Sequence, residues 1–353
     1  MRKFLGIVLL IIVLLAFLWS IHAGVVSNRS RIVMKVSEHA NIQGREPITA
    51  KAYQRLLGVG IDVDWMSFNW VNHYYFQWRS RGVNVPEYFR REGFSNVRIR
   101  VSENVVTNKT ALTQLGEVVN DTLKAGLVPV ITYTAPELRA NPTSKSAQEH
   151  FVQWWKTVAH YFKGYPYILS YDLLIESSGN VKNYPGVLNR VYSQTIREIR
   201  AVDPYRIVFV TPADVSSPFC LNELNVTNDG YTLVEWHIYA GGPKYCTYNE
   251  GYIEEAVSAV LNWSKRTGIP TWLGAWRPTV YPRISGRSPT PSCPVGLELA
   301  FSRAMVSALS KAGIPYDINA DTRFFDIETL TWYPSEREVL EIILRYHPPR
   351  REQ

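Results

Sequence analysis

The sequence has 353 residues, of which 46% are hydrophobic and 20% are charged, with a formal net charge of +7. This composition supports a packed core and argues against long disordered regions. The sequence contains no Walker loop and no GxGxxG turn after a predicted strand, which excludes the common nucleotide-binding classes. Its basic residues form no run longer than Arg-Arg, so the charge does not favour nucleic-acid binding.

The first segment indicates a membrane anchor. Residues 4–26 are apolar except for Ser20 and His22, and this length can span a bilayer. A cleaved signal peptide has a shorter apolar core and a small-x-small site, which Ile21-His22-Ala23 matches poorly. We therefore expect a signal anchor over residues 1–26, a stalk and lead-in segment over 27–55, and one domain over 56–353 on the extracytoplasmic side of the cell membrane. N-x-S/T sequons agree with this placement and occur at Asn28, Asn108, Asn120, Asn225 and Asn262.

From about residue 56, short apolar strands alternate with amphipathic helices. The predicted strands cover residues 58–65, 95–101, 127–134, 167–176, 206–213, 232–240, 271–276 and 316–320. The clearest predicted helices cover residues 146–166, 186–204, 254–270, 296–315 and 335–347. This alternation predicts an α/β fold with a parallel sheet, and eight strands are the number that closes a (β/α)8 TIM barrel. A doubly wound open sheet is less favoured, because the loop after the first strand is aromatic and not glycine-rich.

Ionisable side chains recur at spacings of two or four residues on these predicted strands. Residues two apart on a strand share a face, so each such set is expected to point into the barrel together. The sets are Asp62 with Asp64, Arg98 with Arg100, Asp172 with Glu176, and Glu235 with His237 and Tyr239. Because buried charges must be paired, the simplest prediction for Asp172, Arg100 and Glu235 is a structural ion-pair network.

These segments, in this order, resemble glycoside hydrolase family 5, the cellulase-like barrels. The resemblance runs from about Tyr53 to Tyr346 and is carried by "GVGIDVDW", "NVRIRV", "SYDLLIES", "EWHIYA" and "GIPTWLGAW". It implies a TIM barrel that acts on O-glycosidic bonds with retention of configuration, using one glutamate after strand four and one at strand seven. It also implies a polysaccharide or oligosaccharide as partner, with no cofactor, metal, nucleotide or nucleic acid.

Carried over residue by residue, the resemblance predicts a degraded active site. Glu176 falls on the acid/base position, whereas Ala275 falls on the nucleophile position. Ile175 replaces the asparagine that precedes the acid/base, and Asn319 falls where the family has a tryptophan. The family positions that are kept besides Glu176 are Arg98, His237 and Tyr239, which are expected to bind substrate. A methyl group at position 275 cannot attack an anomeric carbon.

Two hypotheses for the function stay open. In the first, the barrel is anchored at the membrane and binds glycans without cleaving them. In the second, it is an active glycosidase with Glu176 as acid and a displaced carboxylate base, for which Asp214 and Asp321 are the candidates. An inverting mechanism tolerates such a base at about 6.5–9.5 Å from the acid. The simpler role for both aspartates is turn capping.

Other residues carry weaker indications. Trp65, Trp70 and Trp276 are candidates for stacking on sugar, although Trp65 and Trp70 could equally pack the first helix onto the barrel. Without an acid at position 275, Arg98 would need Glu176, Glu235 or an incoming anion such as a carboxylated sugar.

The cysteines, Cys220, Cys246 and Cys293, fit no zinc pattern. One pair could form a disulfide and leave one free thiol, or all three could be unpaired.

Overall fold

The computed structural model describes residues 46–239, 249–278 and 293–348. Within these residues, eight parallel strands close a barrel, with each strand paired to the next along the chain and the last paired to the first. They are β1 (Val59–Met66), β2 (Asn96–Val101), β3 (Val128–Tyr133), β4 (Ser170–Asp172), β5 (Ile207–Val210), β6 (Thr232–Tyr239), β7 (Thr271–Arg277) and β8 (Tyr316–Ile318). The predicted (β/α)8 barrel is confirmed, and the open sheet is excluded.

Helices surround this barrel. In chain order they are α1 (Ala50–Leu57), α2 (Asn69–Ser80), α3 (Pro86–Glu92), α4 (Lys109–Lys124), α5 (Pro136–Ala140), α6 (Lys145–Tyr161), α7 (Pro185–Val202), α8 (Glu250–Thr267), α9 (Val295–Ala312), α10 (Asp321–Phe324) and α11 (Arg337–Ile343). Local sequence explains several ends: the side chains of Asn108 and Ser144 cap α4 and α6, and Gly268 and Gly313 end α8 and α9 in left-handed conformations.

Residues 1–26, the predicted anchor, lie outside the described residues. Among the helices that are described, none is both long and apolar enough to cross a bilayer.

The segment expected to lead into the barrel contains a helix, α1, that packs against the barrel interior. Tyr53 is fully buried, and its hydroxyl donates to the Ile168 carbonyl and contacts Ser170 Oγ, both at 2.8 Å. The N–H of Ala50 donates to the carbonyl of Gly230 at 2.7 Å. These contacts place α1 at the end of the barrel where the strands begin.

The fourth strand is much shorter than predicted. Only residues 170–172 are extended and paired, whereas a strand was expected over 167–176. Beyond Asp172 the backbone hydrogen bonds go in turn to the two neighbouring strands. The N–H of Leu173 donates to the carbonyl of Phe209 in β5, and the N–H of Ile175 donates to the carbonyl of Tyr133 in β3. Glu176 therefore lies on an irregular segment after the strand, at the end of the barrel where strands finish.

The connection from β5 to β6 lacks a long helix, and residues 211–231 are all described. It begins with a turn over Ala213–Ser216 in which Asp214, Val215 and Ser216 all have positive φ values of 52°, 60° and 60°. Left-handed backbone is costly for residues other than glycine, most of all for a β-branched valine. A 3₁₀ helix over Pro218–Glu223 follows.

Candidate active site

Three predicted side chains meet at the mouth of the barrel, where the strands end. His237 Nδ1 lies 3.2 Å from Glu176 Oε1, and the Tyr239 hydroxyl donates to the same oxygen at 3.5 Å. His237 and Tyr239 both project from β6, because residues two apart share a face. The Glu176 side chain keeps 17% of its surface exposed, whereas His237 keeps 2%. A ligand can therefore reach Glu176 and the partly exposed Tyr239, whereas His237 is almost fully covered.

The electrostatics of this pair favour the charged form of both partners. Burial disfavours a charge on His237, but Glu235 and then Glu176 outweigh burial and raise the pKa of His237 to about 9. Burial likewise disfavours the Glu176 carboxylate, but the hydrogen bond and charge of His237 outweigh it, and the pKa of Glu176 is lowered. At neutral pH the pair is an imidazolium and a carboxylate, so Glu176 carries no proton to donate.

The predicted ion-pair network lies directly beneath this group and is centred on Arg98. Arg98 Nε contacts Asp62 Oδ1 at 2.6 Å, and its Nη1 contacts Asp172 Oδ2 at 2.9 Å and Glu235 Oε2 at 2.6 Å. All four side chains are fully buried. The expectation that Arg98 binds substrate or an incoming anion is therefore corrected, because three carboxylates enclose the guanidinium.

A second arginine connects this network to the mouth. Arg100 Nη2 contacts Asp62 Oδ2 at 2.6 Å and also donates to Asn319 Oδ1. Asn319 Nδ2 in turn donates to the Tyr239 hydroxyl at 3.3 Å. A closed ring of side-chain contacts results. It runs in order through Arg98, Asp62, Arg100, Asn319, Tyr239, Glu176, His237 and Glu235, which returns to Arg98. The contact that joins His237 Nε2 to Glu235 Oε2 is 3.5 Å long. The part of Asn319 in holding Tyr239 was not expected from the sequence.

The position predicted for the lost nucleophile faces the mouth because β7 carries one extra residue. Trp236 pairs with Leu273, but His237 pairs with Ala275, so Gly274 is skipped in the register. A Cβ on Gly274 would lie 1.9 Å from Glu235 Oε2, which shows that this position also points inward. Ala275 therefore shares the inward face of His237 and presents only a methyl group there. Arg277, two residues on, has its guanidinium 5.8 Å from the ring centroid of Tyr239.

The two candidate replacement bases lie in different settings. Asp321 is buried, and its Oδ1 accepts the backbone N–H groups of Asp64 and Thr322 at 3.2 and 2.8 Å. Burial and the nearby Asp64 raise the pKa of Asp321 well above its usual range. Because this carboxyl is buried and already caps two backbone N–H groups, it is poorly placed to activate a water molecule at the mouth. Asp214 is exposed on the left-handed turn after β5, and its charge contributes to raising the pKa of Cys220 and of Tyr252.

Two of the three predicted stacking tryptophans point away from the mouth. Trp65 is fully buried between Tyr75 and Phe89, with ring centroids 5.0 and 5.3 Å apart. Trp276 is fully buried against Phe301 and Tyr316, on the outer side of the barrel. Their expected contact with sugar is corrected to packing between strands and helices. Trp70, in the first turn of α2, is 45% exposed and can be reached by a ligand.

A clasp of hydrogen bonds fixes the segment that carries Glu176. Ser177 Oγ donates to the Pro212 carbonyl at 2.6 Å and accepts the N–H of Ser216 at 2.9 Å, while the N–H of Val215 donates to the Ser177 carbonyl at 3.2 Å. These bonds hold the strained turn over Ala213–Ser216 against the residue next to Glu176. No sequence pattern predicts these hydrogen bonds, because their partners lie 35 or more residues apart.

Two further observations concern metals and cysteines. The described residues hold no cluster of three side chains suited to bind a metal ion. Cys293 is disulfide-bonded, with its partner outside the described residues, and Cys220 is a free thiol. The alternative of three unpaired cysteines is therefore excluded.

Comparisons with known proteins agree with this geometry. The model of cellulase, glycosyl hydrolase family 5, matches residues 58–278. Endoglucanase H of Acetivibrio thermocellus is 23% identical over 265 residues, which are 69% of this chain and 29% of that protein. The chain thus spans less than a third of this relative.

Solved structures show the same fold at low identity. A hyperthermophilic endo-beta-1,4-glucanase in complex with substrate superposes with a TM-score of 0.69 at 21% identity, covering 83% of this chain and 100% of that one. The cellulose synthase subunit Z of Clostridioides difficile gives 0.66 at 19% identity, with 81% and 99% covered. Thermotoga maritima Cel5A in complex with mannotriose gives 0.69 at 19% identity, with 84% and 100% covered. Since the family model matches more than half of the sequence, this chain belongs to glycosyl hydrolase family 5.

Proposed function

We propose that the mouth of this family 5 barrel binds a β-linked glycan chain without cleaving it by the retaining mechanism. The observation that carries the proposal is the inward-facing methyl group of Ala275 beside His237. Retaining hydrolysis needs a second carboxyl group about 5–5.5 Å from the acid, and it needs the acid to hold a proton. Position 275 supplies no carboxyl group.

The protonation state of Glu176 supports the same proposal. A nearby anionic nucleophile raises the pKa of an acid/base carboxyl through like-charge repulsion. Here the charged neighbour of Glu176 is His237, which lowers the pKa instead. A stable carboxylate at the mouth is a hydrogen-bond acceptor for sugar hydroxyls, so this pair is suited to recognition more than to proton transfer.

The class of ligand is inferred from the relatives. One superposing structure is an endo-beta-1,4-glucanase in complex with substrate, and another is bound to mannotriose. We therefore expect β-1,4-linked glucan or mannan oligosaccharides to be bound. Trp70 offers an exposed ring at the mouth end of α2, where a sugar face could stack.

A second candidate function is inverting hydrolysis with Glu176 as acid and Asp214 as base. The observation that favours it is the exposure of Asp214 at the end of β5, on a turn clasped to Ser177. In that mechanism the base activates a water molecule and needs no residue at position 275.

We also propose that residues 1–26 anchor the protein in the cell membrane with the barrel on the extracytoplasmic side. The disulfide at Cys293 supports an oxidising compartment. The sequon asparagines within the described residues, Asn108, Asn120, Asn225 and Asn262, are all exposed. Protease treatment of intact cells, with detection of the barrel, tests this placement: protection of the barrel overturns it.

The test of function combines binding and hydrolysis on the same samples. The full chain in detergent or nanodiscs is titrated with cellohexaose and mannohexaose by calorimetry, and the products are then analysed. Saturable binding without cleavage, weakened by Glu176→Ala, is the expected result. Hydrolysis that Glu176→Gln abolishes would refute the binding proposal. In that case, loss of activity in Asp214→Asn and an inverted product anomer would establish the second candidate.

A further inference from the structure

The end of the barrel opposite the mouth is rich in exposed basic side chains. Helices of this fold run antiparallel to the strands, so their C-terminal ends gather where the strands begin. We call this end, with α1 and the turns that precede the strands, the basal face. Its exposed basic residues are Lys51 and Arg55 of α1, Lys124 at the end of α4, Lys163 after α6, Lys265 and Arg266 at the end of α8, Lys311 at the end of α9, and Arg345 after α11.

Acidic residues are distributed in the opposite way. On the basal face, Asp203 is paired with Arg206 and Asp229 with Arg200, at 2.8 and 2.9 Å. Most other exposed acids lie at the mouth end, where strands finish and helices begin: Glu103, Glu137, Glu149, Asp214, Glu250 and Glu254. The exceptions are Glu46, just before α1, and Glu341 near the end of α11, which pairs with Arg337. Among the described residues, exposed basic side chains therefore outnumber exposed acids at the basal face.

Helix dipoles account for part of this asymmetry, because cations are favoured at helix C-termini. They do not account for the apolar surface on the same face. Tyr205 is 44% exposed and contacts Tyr167 and Tyr231, with ring centroids 6.4 and 5.3 Å away. Leu56 of α1 is 41% exposed. A partly exposed tyrosine cluster on the same face as basic side chains matches the chemistry of a lipid headgroup region.

The place where the chain enters the barrel favours a lipid bilayer as the partner of the basal face. The described structure begins at this face, where Ala50 of α1 bonds to Gly230 before β6. The predicted anchor ends at residue 26, so about 20 residues precede the barrel, and they can reach at most about 70 Å. The chain that would lead to the anchor therefore joins the barrel at the basal face and not at the mouth.

We propose that the basal face rests on anionic lipid headgroups and directs the glycan-binding mouth away from the membrane. This inference depends on the proposed anchoring but not on glycan binding. Lipid phosphates would pair with the lysines and arginines, and the tyrosine rings would lie at the level of the headgroups.

Native lysines test this inference. The full chain is assembled in nanodiscs of phosphatidylcholine alone or with about one third phosphatidylglycerol, and amine labelling rates are read by mass spectrometry. Basal lysines Lys51, Lys124, Lys163, Lys265 and Lys311 are expected to label at least about threefold more slowly in the anionic discs. Lysines at the mouth end, Lys109, Lys145 and Lys182, are expected to label equally in both. High salt should remove the difference, because it screens exposed charges.

Charge-reversal variants supply the matched control. Lys124→Glu, Lys265→Glu and Lys311→Glu combined should abolish the protection of Lys51 and Lys163, whereas Lys109→Glu, Lys145→Glu and Lys182→Glu combined should leave it intact. Equal labelling of basal lysines in both discs, with the chain inserted, overturns the inference and leaves the anchoring proposal standing. A chain that does not insert into nanodiscs overturns the anchoring, and the inference falls with it.

Discussion

Placing a carboxylate at position 275, the predicted nucleophile position, is the sharpest perturbation of the candidate site. Ala275 faces the mouth beside His237, so Ala275→Glu places a carboxyl group near Glu176. At the 5.5 Å separation of retaining enzymes and an effective dielectric constant of about 20, two unit charges repel by about 3 kcal/mol. This energy corresponds to about two pKa units. The new carboxylate would thus raise the pKa of Glu176 and oppose the effect of His237.

The expected result is a gain of hydrolysis. Because nucleophile and acid would appear together, we expect Ala275→Glu to cleave an aryl β-cellobioside at least about 10²-fold faster than the unmodified chain. The assay is release of the aryl alcohol across pH 4–9. Its pH profile should show an upper limb that reports the raised pKa of Glu176.

Matched variants make the reasoning refutable. Ala275→Gln has nearly the same shape as Ala275→Glu but carries no charge, and it should stay inactive. Adding Glu176→Gln to Ala275→Glu should remove the gained activity. If Ala275→Glu is folded and still binds oligosaccharide but hydrolyses nothing, the carboxylate lost at position 275 is not what limits this site. That outcome would refute the electrostatic argument.

Other predictions concern the charges beneath the mouth. The pKa of His237 is about 9 in the folded chain and near 6.5 when unfolded, so its contribution to stability is full below pH 6.5 and is lost as the pH rises through 9. The free energy of unfolding, measured in urea, should fall by up to about 3 kcal/mol between pH 6.5 and 9.5. His237→Asn should remove this pH dependence, and an unchanged dependence in that variant contradicts the ion pair. Arg98→Met should lower the free energy of unfolding by about 3–5 kcal/mol, because it leaves buried carboxylates unpaired. The control Arg91→Met, at an exposed ion pair, should lower it by less than about 1 kcal/mol. Gly274→Ala, whose Cβ would meet Glu235 Oε2, should destabilise by about 2–4 kcal/mol in the same assay, whereas Gly296→Ala meets no atom within 4 Å and should change little.

Periodicity in the sequence predicted much of the interior correctly. Asp62, Arg98, Asp172 and Glu235 point inward because alternation along a strand is a local property of the backbone. The ion-pair network follows from that alternation, since charges brought into one core must be paired. The residues that the family resemblance singled out, Glu176, His237 and Tyr239, lie in contact at the mouth.

Other features required the tertiary structure. The inward position of Ala275 depends on the extra residue at Gly274, which breaks the two-residue period of β7. The same break turns Trp276 outward, against Phe301. The pairing of Arg98 with three carboxylates depends on distances between strands that are far apart in sequence.

The sequence alone therefore predicted the eight strands and most of their inward faces, because these depend on residue identity and local periodicity. That Ala275 stands where the family has its nucleophile stays a prediction from the resemblance. Only the tertiary structure decided that Glu176 is held as a carboxylate, that Asn319 joins Tyr239 to Arg100, and that Ser177 clasps a left-handed turn. Each of these depends on contacts between residues 35 or more positions apart. Such contacts leave no pattern in the sequence of a single chain.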